Sequence, residues 1–289
     1  MPSAPSEPDH PVAPAAPAAG PGRAPLPALF VSHGSPMFAL EPGTSGPALR
    51  AWAQRLPSRP RGIVLMSPHW MTREPTVTTG ERPATWHDFG GFPPALYALT
   101  YPAPGDPALA QQVLDALAAA GIAAQADGER PFDHGAWVPL MHLFPAADVP
   151  LVQVSLPQAP AEAVYAIGRA LAGLADEGVL LVGSGSMTHN LREFFSGAAA
   201  DVGYVNTFAR FVEDAVRRAD TDALLHWADH VPQALRAHPT DEHFLPLFFA
   251  LGAARWGERP LQTEWLSREV VGGLLAMDAF ALQPADTAV

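Results

Sequence analysis

Three histidines share a local pattern. His33 lies in "FVSHGSPM", His69 in "LMSPHW" and His189 in "GSGSMTHN", each close behind an apolar run and a turn of small residues. Imidazole offers two chemistries: its neutral nitrogen ligates transition metals, and a pKa near 6.5 lets it take and return a proton at neutral pH. His134 in "FDHGAW" and His243 in "PTDEHFLPL" are further candidates. Taken singly, each is as readily a hydrogen-bonded packing residue. Taken jointly, imidazoles held by stiff turns at neighbouring strand ends are what a nitrogen-donor metal site requires. The chain has eleven histidines, no cysteine and no lysine, all seventeen basic residues being arginine. Thiolate nucleophiles, Fe–S clusters, cysteine zinc sites, the P-loop lysine and Schiff-base lysines are all excluded.

The other histidines read differently. His142 sits among Leu140, Met141, Leu143 and Phe144 and is expected to pack, while His238 precedes the Pro239 turn. "HWADH" gives His226 and His230 zinc-peptidase spacing, but Trp227 stands where the general-base glutamate belongs, so a solvated or interhelical pair is expected. "GSGSM" at 183–187 lacks the third glycine of a dinucleotide fingerprint and is no G-x-S-x-G elbow. Its glycines are expected to give backbone clearance beside a ligand, with Ser184 and Ser186 bonding locally or lining the pocket.

The elements that position these residues are legible as apolar runs. Residues 28–32, 62–67, 149–156 and 178–185 read as buried strands. Asp106-Pro107 opens a helix that Gly121 ends, and 160–178 supplies a helical crossover implying parallel pairing. A helix within 238–253, with Thr240 as N-cap, is expected to carry His243 near its start. Residues 85–93, "TWHDFGGFP", read as a functional loop in which Trp86, Phe89 and Phe92 would cover a ligand. The expected fold class is α/β: one domain over 28–289, a mostly parallel central sheet with helices on both faces, and a metal site at the carboxyl edge of the strands. Residues 1–27, rich in proline and alanine, read as a disordered tail. A net charge of -12 without a basic stripe argues against nucleic acid, and no stretch suits a signal peptide or membrane span, so a cytoplasmic setting is expected.

Together "FVSHGSPM", "SPHW", "HDFGGFP", "DHGAW", "GSGSMTHNLR" and "PTDEHFLPL" resemble, in order and spacing, the class III extradiol ring-cleaving dioxygenases, specifically the DOPA-dioxygenase branch of the LigB-like superfamily. The resemblance runs from about Leu29 to near Met277. It implies one non-haem metal at the sheet edge, with His33, His69 and His243 as ligands. It also implies that His189 is the acid–base histidine, able to act as a fourth ligand in a zinc-loaded form, and that His134 is a second histidine facing the substrate. Where many class III enzymes use a carboxylate, the third ligand here is imidazole, with Glu242 the carboxylate to suspect otherwise. The implied reaction inserts O2 into a catechol, DOPA-like in type. Turnover then implies Fe(II), because zinc, which the same imidazoles also suit, has no redox chemistry. A zinc-dependent hydrolase using the same histidines is the alternative.

Overall fold

The four apolar runs pair side by side as the centre of a larger sheet. The computed structural model describes residues 24–196 and 203–285, so residues 1–23 of the expected tail lie outside the described residues. The sheet's strands are β1 (Ala28–Ser32), β2 (Gly62–Thr72), β3 (Thr76–Thr78), β4 (Gln125–Asp127), β5 (Leu151–Pro157), β6 (Val179–Gly185), β7 (Leu261–Ser267) and β8 (Ala279–Pro284). Their order is β4-β3-β5-β2-β6-β1-β8-β7. The block β5-β2-β6-β1 is parallel, as is the β4–β3 pair; β3–β5, β1–β8 and β8–β7 are antiparallel.

Both faces of the parallel block are covered, which is why its strands are apolar throughout instead of alternating. Helices α1 (Ser45–Gln54), α2 (Pro107–Ala119), α3 (His134–Leu143), α4 (Ala161–Leu171), α5 (Gly203–Arg218) and α6 (Pro246–Ala253) form the two layers. Phe30, Val64, Met66 and Leu181 pack with Val113, Val164, Val212 and Phe248, from α2, α4, α5 and α6. Their neighbours in sequence, Leu29, Val31, Ile63, Leu65, Leu180 and Val182, face Leu49 and Trp52 of α1 and Trp137 of α3. The Asp106 side chain accepts from Leu109 N at 2.9 Å, capping α2 as its sequence predicts. No described helix is long and apolar enough to cross a membrane.

Three elements depart from the sequence reading. Strand β2 does not stop at Ser67. Ser67 pairs with Ser155 and Met71 with Leu156, so Pro68, His69 and Trp70 form a bulge before pairing resumes. The helix expected to start near Thr240 begins instead at Pro246, whose missing N–H is harmless in a first helical turn. Thr240 caps nothing: its hydroxyl meets Glu242 Oε1 at 3.1 Å. His226 and His230 are solvated as expected, both exposed rings facing Asp222, but they share no helix, because the backbone breaks at His226 between two short helical turns.

Candidate metal centre

His33, His69, His134, His189 and His243 converge at the carboxyl edge of the parallel block, each held by a different device. His33 follows β1 directly, and its N–H donates to Gly185 O at 2.9 Å, prolonging the β1–β6 ladder. Its Nδ1 lies 3.0 Å from Ser184 Oγ. That hydroxyl donates to the carbonyl of Gly135, the group Pro139 would serve had it an N–H. With its proton so committed, Ser184 accepts from His33 Nδ1–H, and the Nε2 lone pair points to the centre.

His69 stands on the β2 bulge, which lifts it off the ladder. Gly135 makes room for it: a Cβ there would lie 2.2 Å from Ser67 Oγ and 2.9 Å from His69 Cδ2. His243 occupies the turn before α6, where Ser186 N donates to its carbonyl at 2.8 Å. A Cβ on Gly185 would sit 2.3 Å from that carbonyl oxygen. The clearance supplied by the 183–187 glycines is therefore taken up by the chain's own backbone, correcting the expectation of a ligand there. Ser186 bonds locally, its Oγ donating to Thr188 O at 2.7 Å, whereas Ser184 bonds the distant His33 and Gly135 instead.

The Nε2 atoms of His33 and His69 approach to 3.1 Å. One nitrogen from each of His33, His69 and His243 falls in a group whose members all lie within 4.8 Å of one another. Two nitrogens each ~2.1 Å from one ion at tetrahedral or octahedral angles stand roughly 3.0–3.4 Å apart, so the donor set fits a single transition metal. The remaining nitrogens face oxygen acceptors: Ser184 for His33, Glu242 Oε1 at 2.9 Å for His243, and Asp88 Oδ2 at 3.7 Å for His69. Such partners fix ring orientation in metal sites. Glu242 groups with His189 and His243, not with His33 and His69.

His189 stacks on His243, centroids 3.4 Å apart and planes 10° from parallel. The His134 ring centroid lies 3.9 Å from that of His69. Asp88 Oδ1 accepts from both the backbone N–H and the Nδ1–H of His134, at 3.0 and 2.9 Å, and so caps the start of α3. Burial, reinforced by the neighbouring imidazoles, holds His33 and His243 well below the usual histidine range. Burial and then His134 lower His69 to about 3 against the pull of Asp88, and burial lowers His189 to about 4 despite Glu242. Neutral rings are the form that binds metal or accepts a proton. Burial pushes the Asp88 carboxyl up, but its bonds to His134 more than offset this and hold it low.

A cavity of about 360 Å3 opens over the cluster, lined by His69, His134, His189 and His243 and walled by Phe89, Gly90, Gly91 and Phe92. Of the loop aromatics expected to cover a ligand, Phe89 and Phe92 do line it. Trp86 does not: its ring lies 4.6 Å from the Arg130 guanidinium, and its carbonyl accepts from Trp137 Nε1. His142 packs as expected, Nε2 donating to Phe38 O at 2.9 Å. His238 is fully buried, its Nε2–H bonded to Met187 O at 2.9 Å.

Sequence reasoning missed the carboxylates behind the cluster. Asp88 sits in a loop where an acidic residue is unremarked, its one signal being adjacency to the aromatic Gly-Gly segment. Asp133 precedes α3 but does not cap it; its side chain turns inward to Ser67 Oγ at 2.8 Å and to Gln153. Arg130 lies 3.6 Å from the Asp133 carboxylate and donates to His69 O at 2.9 Å, tying this buried group to the bulge.

An α/β sheet carrying an imidazole cluster at its strand ends defines a metal-dependent enzyme, and comparison with known proteins says which. Residues 27–276 match the family described as the catalytic LigB subunit of aromatic ring-opening dioxygenase. The chain belongs to this family and is a metal-dependent extradiol ring-cleaving dioxygenase. It is 41% identical over 242 residues to the 4,5-DOPA dioxygenase extradiol of Escherichia coli (strain K12), covering 82% of this chain and 88% of that protein. The protein of the same name from Beta vulgaris is 37% identical over 256 residues, covering 87% and 94%. A crystal structure of an uncharacterized Escherichia coli K12 protein superposes with a TM-score of 0.74 at 34% identity, covering 89% of this chain and 99% of that one. The family decides between the two enzymatic readings in favour of the dioxygenase over the hydrolase.

Proposed function

We propose that His33, His69 and His243 hold one Fe(II) ion at which a substituted catechol is opened beside its diol by O2. The observation that carries this is the 3.1 Å approach of the His33 and His69 Nε2 atoms, the His33 ring being oriented from behind by Ser184. When bound, iron supplies the charge that favours the catecholate and the redox couple that dioxygen needs and zinc lacks. A zinc-loaded form with His189 as a fourth ligand would require His189 to move, because its donor atom groups with Glu242 and His243 and not with His33 and His69.

The chain's own residues do the rest. His189, neutral and stacked on His243, takes the catechol proton and later returns it to the opening ring. Asp88 accepts the Nδ1–H of His134, so His134 presents Nε2 to substrate from the other side of the cavity. Phe89 and Phe92 flank the ring and exclude water, while Gly90 and Gly91 leave the entrance without side chains. The relatives named for DOPA support a ring with one side chain of about that length. The test is anaerobic loading with Fe(II), then air and a panel of catechols, recording oxygen uptake and yellow ring-opened product. Iron-loaded protein that consumes no oxygen with any catechol overturns the proposal.

A further inference from the structure

Beside the histidine cavity lies a second one of about 190 Å3. The two share Ser35, Phe92 and Phe195 in their walls and so adjoin each other. From these walls, and resting on the catechol reading above, we infer that the substrate's ring substituent occupies this second cavity through apolar contact and carries no carboxylate.

The walls carry the argument. Met37, Phe194, Leu275 and Met277 supply much of the lining, and among the described residues the one charged side chain there is Glu41. No arginine lines either cavity among the described residues, and the chain has no lysine. A carboxylate in this place would give up its hydration without a cation to receive it, and would do so near another carboxylate. An apolar group meets no such cost: a cavity of ~150 Å3 with comparable lining takes up benzene. Phe195 keeps 67% of its surface exposed on the shared wall, apolar area that such a group would remove from water. The zwitterionic tail of DOPA suits the cavity in length and not in charge.

The test is anaerobic titration calorimetry of the Fe(II)-loaded protein with catechol, 4-propylcatechol, dopamine and DOPA, which reads binding without turnover. The expected order places 4-propylcatechol first, up to about fiftyfold tighter than catechol for its three buried carbons, and DOPA no tighter than catechol. Val271 lines the same cavity on an exposed two-residue strand. Val271→Arg should raise the affinity for DOPA relative to 4-propylcatechol by about tenfold, by giving the carboxylate a partner. DOPA binding as tightly as 4-propylcatechol overturns the inference, as does a propyl chain that adds nothing to catechol. Failure of every catechol to bind removes the catechol reading itself, and the inference with it.

Discussion

Ser184 Oγ stands 3.0 Å from His33 Nδ1 and at the same time serves the Gly135 carbonyl that Pro139, four residues on, cannot. One hydroxyl thus repairs a helix and sets a tautomer. In Ser184→Ala, the His33 proton loses its acceptor and the Gly135 carbonyl its donor. Metal affinity should fall by about 10–100-fold, and metal-free stability by roughly 1–3 kcal/mol. Competition with a chelator of known affinity measures the first and urea unfolding the second. Undiminished affinity would mean that the bond to Ser184 does not set the ring.

The assignment of roles within the cluster predicts a split between metal content and turnover. His33→Ala, His69→Ala and His243→Ala should emerge without stoichiometric metal. His189→Ala should retain it and lose at least about 100-fold in rate, the usual contribution of a general acid–base group. Glu242→Gln should keep the metal more weakly, because Glu242 backs His243 at 2.9 Å. Elemental analysis beside oxygen-uptake rates decides it. Equal metal content across His33→Ala, His69→Ala and His189→Ala would contradict the ligand set.

What the sequence made legible follows from burial. The parallel block reads as apolar runs because both faces are covered, and a histidine behind such a run must lie at the sheet's carboxyl edge. Strand β7, half-exposed and alternating as "LQTEWLS", and β3 and β4, three residues each, carry no comparable signal. The bulge that raises His69 depends on cross-strand pairing with Ser155 and Leu156, which no local pattern encodes. Asp88 and Asp133 were hidden for a related reason. Each acts on an element distant in sequence, Asp88 on His134 and Asp133 on Ser67 and Gln153.

The third prediction concerns Gly185. A methyl group there would overlap the His243 carbonyl oxygen at 2.3 Å, and the contact is with backbone that α6 holds in place. Gly185→Ala should therefore cost about 1–3 kcal/mol of stability through overpacking. It should also displace His243 and weaken metal binding by more than the stability loss alone accounts for. Thermal melts with and without metal separate the two effects. Metal that shifts the melting temperature of the variant as much as that of the wild type would show His243 undisturbed.

Acid stability of the metal-free protein provides the fourth prediction through His238. Burial lowers this histidine from 6.5 to about 4, although its bond to Met187 O opposes the shift, and its Nδ1 is buried without a partner among the described residues. Above pH 6.5 both folded and unfolded chains carry the ring neutral, and the full stability is present. Between 6.5 and about 4 the unfolded chain binds a proton that the folded one refuses, so stability falls as pH falls. Below about 4 both bind it and this contribution stops changing. The loss from this one residue is on the order of 3 kcal/mol. Buried cluster histidines add to the same trend, so wild type must be compared with His238→Gln, which retains a donor for Met187 O and does not titrate. Denaturant unfolding at pH 7.5 and 4.5 should give a smaller drop for the variant, and an identical drop would place the proton uptake elsewhere.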